Sequence, residues 1–153
     1  MITFKTEQTI DRSADDVWAY AADILRHPEW MGVTNARVVH GRGTEVGARG
    51  IEQMKMGPRT IDVEVTVAES VPASRIRWQV ASKSPLAADV TLELETIGMD
   101  VTRAIWSGRI GMHGWWRLLE PLMAGDVKAG EAAELRRLKA NLEMPSAMTA
   151  AMK

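Results

Sequence analysis

The stretch from His113 to Leu142, HGWWRLLEPLMAGDVKAGEAAELRRLKANL, is the longest run of helical periodicity in the chain, and nearly everything before it reads as strand. It is the only element long enough to fill a curved sheet. Its first half carries Trp115, Trp116, Leu119, Leu122 and Met123, which at about 100° per residue share one broad apolar face. In the second half the face is Val127, Leu135, Leu138 and Leu142, with Arg136, Arg137 and Lys139 mostly around it. The centre of the stripe turns by about 100–130° between the halves. Pro121, Gly125 and Gly130 lie at the changeover, so a bend near residues 121–130 is expected, with different partners on either side. Two readings follow: a helix that simply wraps a curved core, or one whose small residues beside large ones leave a cavity.

Residues 2–10 alternate and read as a strand. Ser13, followed by Ala14, Asp15 and Asp16, is an N-cap signal with acidic residues in the first turn. Val17, Tyr20, Ile24 and Leu25 predict a helix over 14–25, and Pro28 in HPEWM opens a second short one. From residue 36 the period changes to two. Strands are expected at 36–40, 48–56, 59–69, around Ile76–Val80, around Val90–Leu94, and at 101–111. Gly57-Pro58, Val71-Pro72, Lys83-Ser84-Pro85 and Gly98-Met99-Asp100 break them. Each strand has one apolar and one charged face, the mark of an antiparallel sheet covered on one side. Short turns between consecutive strands make it a meander. The expected architecture is α+β: about seven curved antiparallel strands wrapped around a long C-terminal helix, with two short helices after the first strand.

At 153 residues the chain fits one domain, placed at 1–143, with a flexible tail at 144–153. Nineteen Lys and Arg against 20 Asp and Glu leave no excess charge to attract nucleic acid or anionic membrane. The absence of cysteine excludes disulfides and thiolate chemistry. The N-terminal residues show no secretory signal and no apolar run is long enough to span a membrane, so the expected location is the cytoplasm. Six Trp and ten Met stand beside one Tyr and one Phe. Each Trp can bury ~150–250 Å², worth up to about 4–6 kcal/mol, which would help stabilise a shell that is not solidly filled. Met suits adaptable apolar surfaces. An ordinary core with a bias toward Met is the plainer reading.

This order of elements resembles the START-like superfamily, also called SRPBCC, which includes polyketide cyclases/dehydrases and lipid- or quinone-binding proteins. The matching stretches are IDRSADDVWAYAAD, HPEWM, the Val-Gly-Ala-Arg opening of the third strand, EVTVAESV before a proline, SGRIG, and the closing LLEPLM and LRRLKANLE, across about residues 2–143. The resemblance implies a helix-grip fold with an apolar cavity between the sheet and the C-terminal helix. One fold hosts many functions, so it implies no particular reaction.

The three histidines, His27, His40 and His113, have no metal-ligand spacing, and no metal or other cofactor is expected. There is no Gly-x-Ser-x-Gly elbow, and Gly41-x-Gly43-x-x-x-Gly47 has neither the spacing nor the context of a dinucleotide loop. If Met54 and Met56 face the helix, alternation turns Glu52 the same way, and Thr96 and Thr102 are further inward candidates. The preferred reading for Glu52 is that a bulge carries it to a wet rim. A carboxylate inside an apolar cavity would instead be a candidate acid or base.

The first functional reading is a binding protein for a small hydrophobic molecule of lipid, polyketide, quinone or aromatic type. Its wall would be Trp30, Met54, Met56, Val65, Trp78, Leu92, Trp106, Trp116, Leu119 and Met123. The second is a polyketide cyclase/dehydratase-like enzyme using the same cavity. Glu52, the histidines and Tyr20 are its candidates, and no residue is assigned a catalytic role. The third is an interaction protein whose outer sheet face, with Arg75, Arg77, Glu93, Glu95, Arg103 and Arg109, meets another protein or forms a homodimer.

Overall fold

The structure, a computed structural model, describes residues 1–81 and 86–144. The elements run β1 (Ile2–Ile10), α1 (Ala14–Ala21), a 3-10 turn (Ile24–Arg26), α2 (His27–Trp30), β2 (Asn35–His40), β3 (Arg49–Met56), β4 (Arg59–Val71), β5 (Arg75–Ala81), β6 (Leu86–Gly98) and β7 (Val101–Met112). A 3-10 segment (Gly114–Leu119) then leads into α3 (Glu120–Glu143). The expected break at Lys83-Ser84-Pro85 and most of the expected tail lie outside the described residues.

The strands form one antiparallel sheet of seven in the order β1-β7-β6-β5-β4-β3-β2. The meander runs from β2 to β7, and β1 joins beside the last strand, from Ile2 opposite Ile110 to Ile10 opposite Thr102. β6 and β7 approach each other closely at Gly108. A Cβ on Gly108 would lie 2.4 Å from the carbonyl oxygen of Asp89 and 2.9 Å from the Cα of Val90. Only glycine permits that approach.

Local signals set the helix ends. Ser13 Oγ accepts from the Asp16 N–H at 3.2 Å and starts α1. The helix expected over 14–25 stops at Ala21, because extended Asp23 accepts from the Leu25 N–H at 3.0 Å and caps a separate 3-10 turn. The C-terminal stretch also divides. Pro121 does not bend a helix interior: it sits in the first turn of α3, where its missing N–H removes no bond. Residues 114–119 wind as 3-10 before it, so the first apolar face is split: Trp115, Trp116 and Leu119 lie in the 3-10 segment, and Leu122 and Met123 in the first turn of α3. Both parts of that face reach solvent, with Trp115 64% and Leu122 80% exposed. Past Pro121, α3 runs unbroken through Gly125 and Gly130.

One end of the concave side is solid. Trp30, Trp78 and Trp106 are fully buried and meet edge to face, with centroids 5.4 Å apart for Trp30–Trp106 and 6.0 Å for Trp78–Trp106. Phe4, Ile24, Leu92, Leu135 and Leu138 complete this plug. The convex side carries matched charges. Arg75 bridges Glu69 (2.9 Å) and Glu93 (2.5 Å), Arg77 bridges Asp89 (2.6 Å) and Glu69 (3.1 Å), and Arg103 pairs with Glu95 (3.1 Å). Antiparallel register brings these partners opposite or diagonal to one another.

Candidate functional site

Beside the aromatic plug the concave side is hollow. A cavity of about 510 Å³ lies between the sheet and α3. The sheet contributes Glu52, Met54, Met56, Val63, Val80, Ala88, Val90, Trp106, Ile110 and Met112, and α3 contributes Met123, Asp126, Val127, Gly130, Glu131 and Glu134. Met31, Gly32 and Val33, just after α2, close one end, and exposed Lys55 and Gly57 mark where it reaches the surface. The space follows from side-chain size: a Cβ on Gly130 would meet no other atom within 4 Å.

Met54, Met56, Trp106 and Met123, expected at the wall, line this cavity. Trp30, Val65, Trp78 and Leu92 sit instead in the packed core beside it. Alternation chose their face of the sheet, but their depth along the strand places them under other elements. Val65, for example, pairs with Gly50, over which Ile24 packs so closely that a Cβ there would lie 2.9 Å from its Cγ2. Trp116 and Leu119 lie half-buried in the 3-10 segment ahead of α3, and neither is among the lining residues. Tyr20 points elsewhere: its hydroxyl donates to Glu29 at 3.1 Å and accepts from Asn141 at 3.1 Å. His40 and His113 are exposed. Thr96 is exposed, not inward, because it lies at the outer end of β6. Thr102 is buried, and its hydroxyl donates to the Arg12 carbonyl at 2.8 Å, away from the cavity lining.

The expectation of a wet rim for Glu52 is overturned. Register between β3 and β4 is unbroken from Arg49 opposite Thr66 to Met56 opposite Arg59, so no bulge turns Glu52 outward. It lines the cavity at 4% exposure, with Oε1 2.5 Å from Nδ1 of His27. His27 is fully buried and stands edge-on to Trp78 at 5.0 Å and to Trp30 at 6.0 Å. Its Nε2 has no hydrogen-bond partner among the described residues.

The main polar feature was not singled out from the sequence. Glu131 Oε2 accepts from the Trp106 indole N–H at 2.7 Å, and Glu134 Oε1 accepts from the Gly32 backbone N–H at 2.7 Å. The two glutamates are one helical turn apart and hydrogen-bond each other. Burial, and then the negative charge and hydrogen bond of Glu131, push the Glu134 carboxyl up to about 9, against the opposing pull of the Gly32 N–H and Arg137. At neutral pH Glu134 therefore keeps its proton, which serves the hydrogen bond with Glu131. The signal was available: Val127, Glu131, Glu134 and Leu138 follow steps of four, three and four, so two acids interrupt the core-facing stripe. Among the described residues no group of three or more His, Asp or Glu is arranged to hold a metal ion. No helix among them is long and apolar enough to cross a membrane.

A curved antiparallel sheet gripping a long C-terminal helix, with a hollow between them, defines the helix-grip class of START-like (SRPBCC) proteins. The profile of the family described as polyketide cyclase / dehydrase and lipid transport matches residues 1–143, and the chain belongs to that family. Solved structures agree in fold. A START superfamily protein from Mycobacterium smegmatis superposes with a TM-score of 0.78 at 10% identity, covering 94% of this chain and 98% of that one. A Thermus thermophilus protein gives 0.72 at 16% identity, covering 99% of each chain. A Rhizobium loti protein gives 0.69 at 23% identity, covering 92% of this chain and 96% of its own. No curated protein matches the chain in sequence.

Proposed function

We propose that the protein binds a small, mostly apolar molecule in the cavity between the sheet and α3. The observation that carries this reading is the cavity itself: about 510 Å³, walled mainly by Met, Val, Ile and Trp side chains with a few convergent polar groups. That is the size and composition of small-molecule sites, which run from roughly 300 to 1,000 Å³. Met54, Met56 and Met123 supply an adaptable wall and Trp106 a rigid one. The family's description, which names lipid transport, supports the same reading. A ligand of ~20 heavy atoms at about −0.3 kcal/mol per atom would bind with Kd of order tens of micromolar.

The test is titration with the neutral fluorescent probe N-phenyl-1-naphthylamine, with native mass spectrometry of the purified protein alongside. Saturable binding that weakens at least about tenfold in Gly130→Leu, which fills the hollow, is the expected result. Absence of saturable binding, or binding indifferent to Gly130→Leu, sinks the reading.

A second reading is a cyclase- or dehydratase-type acid/base enzyme acting in the same cavity. One observation favours it: burial and the neighbouring Glu131 push the Glu134 carboxyl up to about 9, and a carboxyl raised this way in a cleft is the kind of group that serves as a general acid. Turnover of a polyketide-like substrate that falls at least about a hundredfold in Glu134→Gln, with binding retained, would support it.

A further inference from the structure

We infer that Glu52 is the polar anchor of the cavity: held from behind by His27, it takes a hydroxyl hydrogen of the ligand, so that the site prefers alcohols and phenols over ethers of the same size. This rests on the reading of the cavity as a binding site and names the group by which it recognises its occupant.

The first argument is the geometry of the carboxyl. Glu52 lines the cavity, and the 5% of its side chain that stays accessible opens onto it. Its Oε1 lies 2.5 Å from Nδ1 of His27. His27 is fully buried and lies behind the lining, so this bond is made on the side away from the hollow. A carboxyl group has two oxygens and about four lone-pair directions, of which the bond to His27 uses one. The second oxygen is left to meet a molecule in the cavity. A carboxyl stripped of water and only partly bonded is unfavourable, and a ligand hydroxyl relieves that.

The second argument is rigidity. The His27 ring stands edge-on to Trp78 at 5.0 Å and to Trp30 at 6.0 Å. Glu52 itself is fixed by the unbroken ladder to β4, where it lies opposite Val63. Both halves of the pair are therefore in place before any ligand arrives, the condition under which a polar group confers specificity at little ordering cost. Glu131 and Glu134, by contrast, bond each other and also take the N–H groups of Trp106 and Gly32.

The third argument is depth. Glu52, Met54 and Met56 follow one another on the cavity side of β3, from the buried end toward exposed Gly57. At about 3.3 Å per residue, Glu52 lies roughly 13 Å along the strand from Met56. A molecule that enters hydroxyl first can lay its apolar chain along the two methionines and reach Glu52 at the inner end.

The experiment displaces N-phenyl-1-naphthylamine with two isomers, 1-decanol and methyl nonyl ether, of which only the first carries a hydrogen-bond donor. The expected result is that the alcohol binds at least about tenfold more tightly. In Glu52→Met, which keeps the length of the side chain and removes the acceptor, the ratio should fall toward one with the ether's affinity unchanged. A purely structural role for Glu52 would shift both ligands alike. Glu131→Gln, at the neighbouring pair, should leave the ratio as it is. If Glu52→Met does not fold, as judged by circular dichroism, the double variant His27→Leu/Glu52→Met, which removes both halves of the buried pair together, is read the same way. A ratio near one in the unaltered protein, a ratio unchanged in the Glu52 variants, or a ratio lost in Glu131→Gln instead each overturns the inference while leaving a ligand cavity in place. Failure of the neutral probe itself to bind overturns both readings together.

Discussion

The two faces of the sheet use the same side chains to opposite ends. On the convex face Glu69, Asp89, Glu93 and Glu95 each meet an arginine. Hydrogen bonds from Arg77 hold the Asp89 and Glu69 carboxyls below the usual carboxylate range. On the concave side Glu52, Glu131 and Glu134 meet an imidazole, an indole and a backbone N–H, and Glu134 is pushed up to about 9. Water explains the contrast. Convex charges keep much of their hydration and sit beside arginines, whereas the concave carboxyls lose part of theirs and are met by an imidazole and by neutral N–H donors. An acidic residue's place in the sequence says little about its chemistry until the sheet's curvature is known.

The strongest way to break this contrast is His27→Ala, which leaves Glu52 buried without its partner. It should lower stability by about 3–5 kcal/mol in urea unfolding, and Glu52→Gln in the same chain should recover part of the loss. A loss below about 1 kcal/mol would mean that the concave carboxyls behave like convex ones. Gly108→Ala attacks the sheet that separates the two faces, by forcing a Cβ into the β6 backbone, and should cost roughly 1–3 kcal/mol in the same assay.

Titration sharpens the contrast, because the two faces have opposite pH dependence. Glu134 binds its proton more tightly folded than unfolded, so its contribution is fully present below about 4.5 and is lost as pH rises through about 9. Asp89 and Glu69 bind theirs less tightly when folded, so their contribution is present above the ordinary carboxylate range and is lost as pH falls below it. Urea unfolding across this range should therefore show Glu134→Gln flattening the alkaline decline without altering the acid limb. An unchanged alkaline limb would place Glu134 in water. The smallest effect belongs to the convex face: Arg103→Ala, which breaks the half-exposed pair with Glu95, should change stability by less than about 1 kcal/mol. A larger loss would show that the ladder acts as a network.

Much of the fold was legible because it rests on local rules. Alternation in TIDVEVTV and TLELE marked one-sided strands, Ser13 marked a helix start, and the turns at Gly57-Pro58 and Met99-Asp100 fall where expected. The C-terminal stretch was legible only in part. Its rotated apolar stripe signalled a discontinuity, but whether Pro121 would kink one helix or open another depends on the backbone before it. At the cavity, period two gave each strand residue a face but no depth, so Trp106, at the edge of the hollow, and Trp78, in solid core, read alike.

From the sequence alone came the class of the fold, the side of the sheet that is covered, and the long helix that covers it, because periodicity and capping act over a few residues. The tertiary structure alone decided where the core is solid and where it is hollow, that Glu52 turns inward to His27, and that Glu131 and Glu134 line the hollow and hydrogen-bond each other. Those outcomes depend on how far the sheet curls and on which side of α3 it leaves without water. Both are set by contacts between residues distant in the chain, such as Gly32 with Glu134 and Trp106 with Glu131.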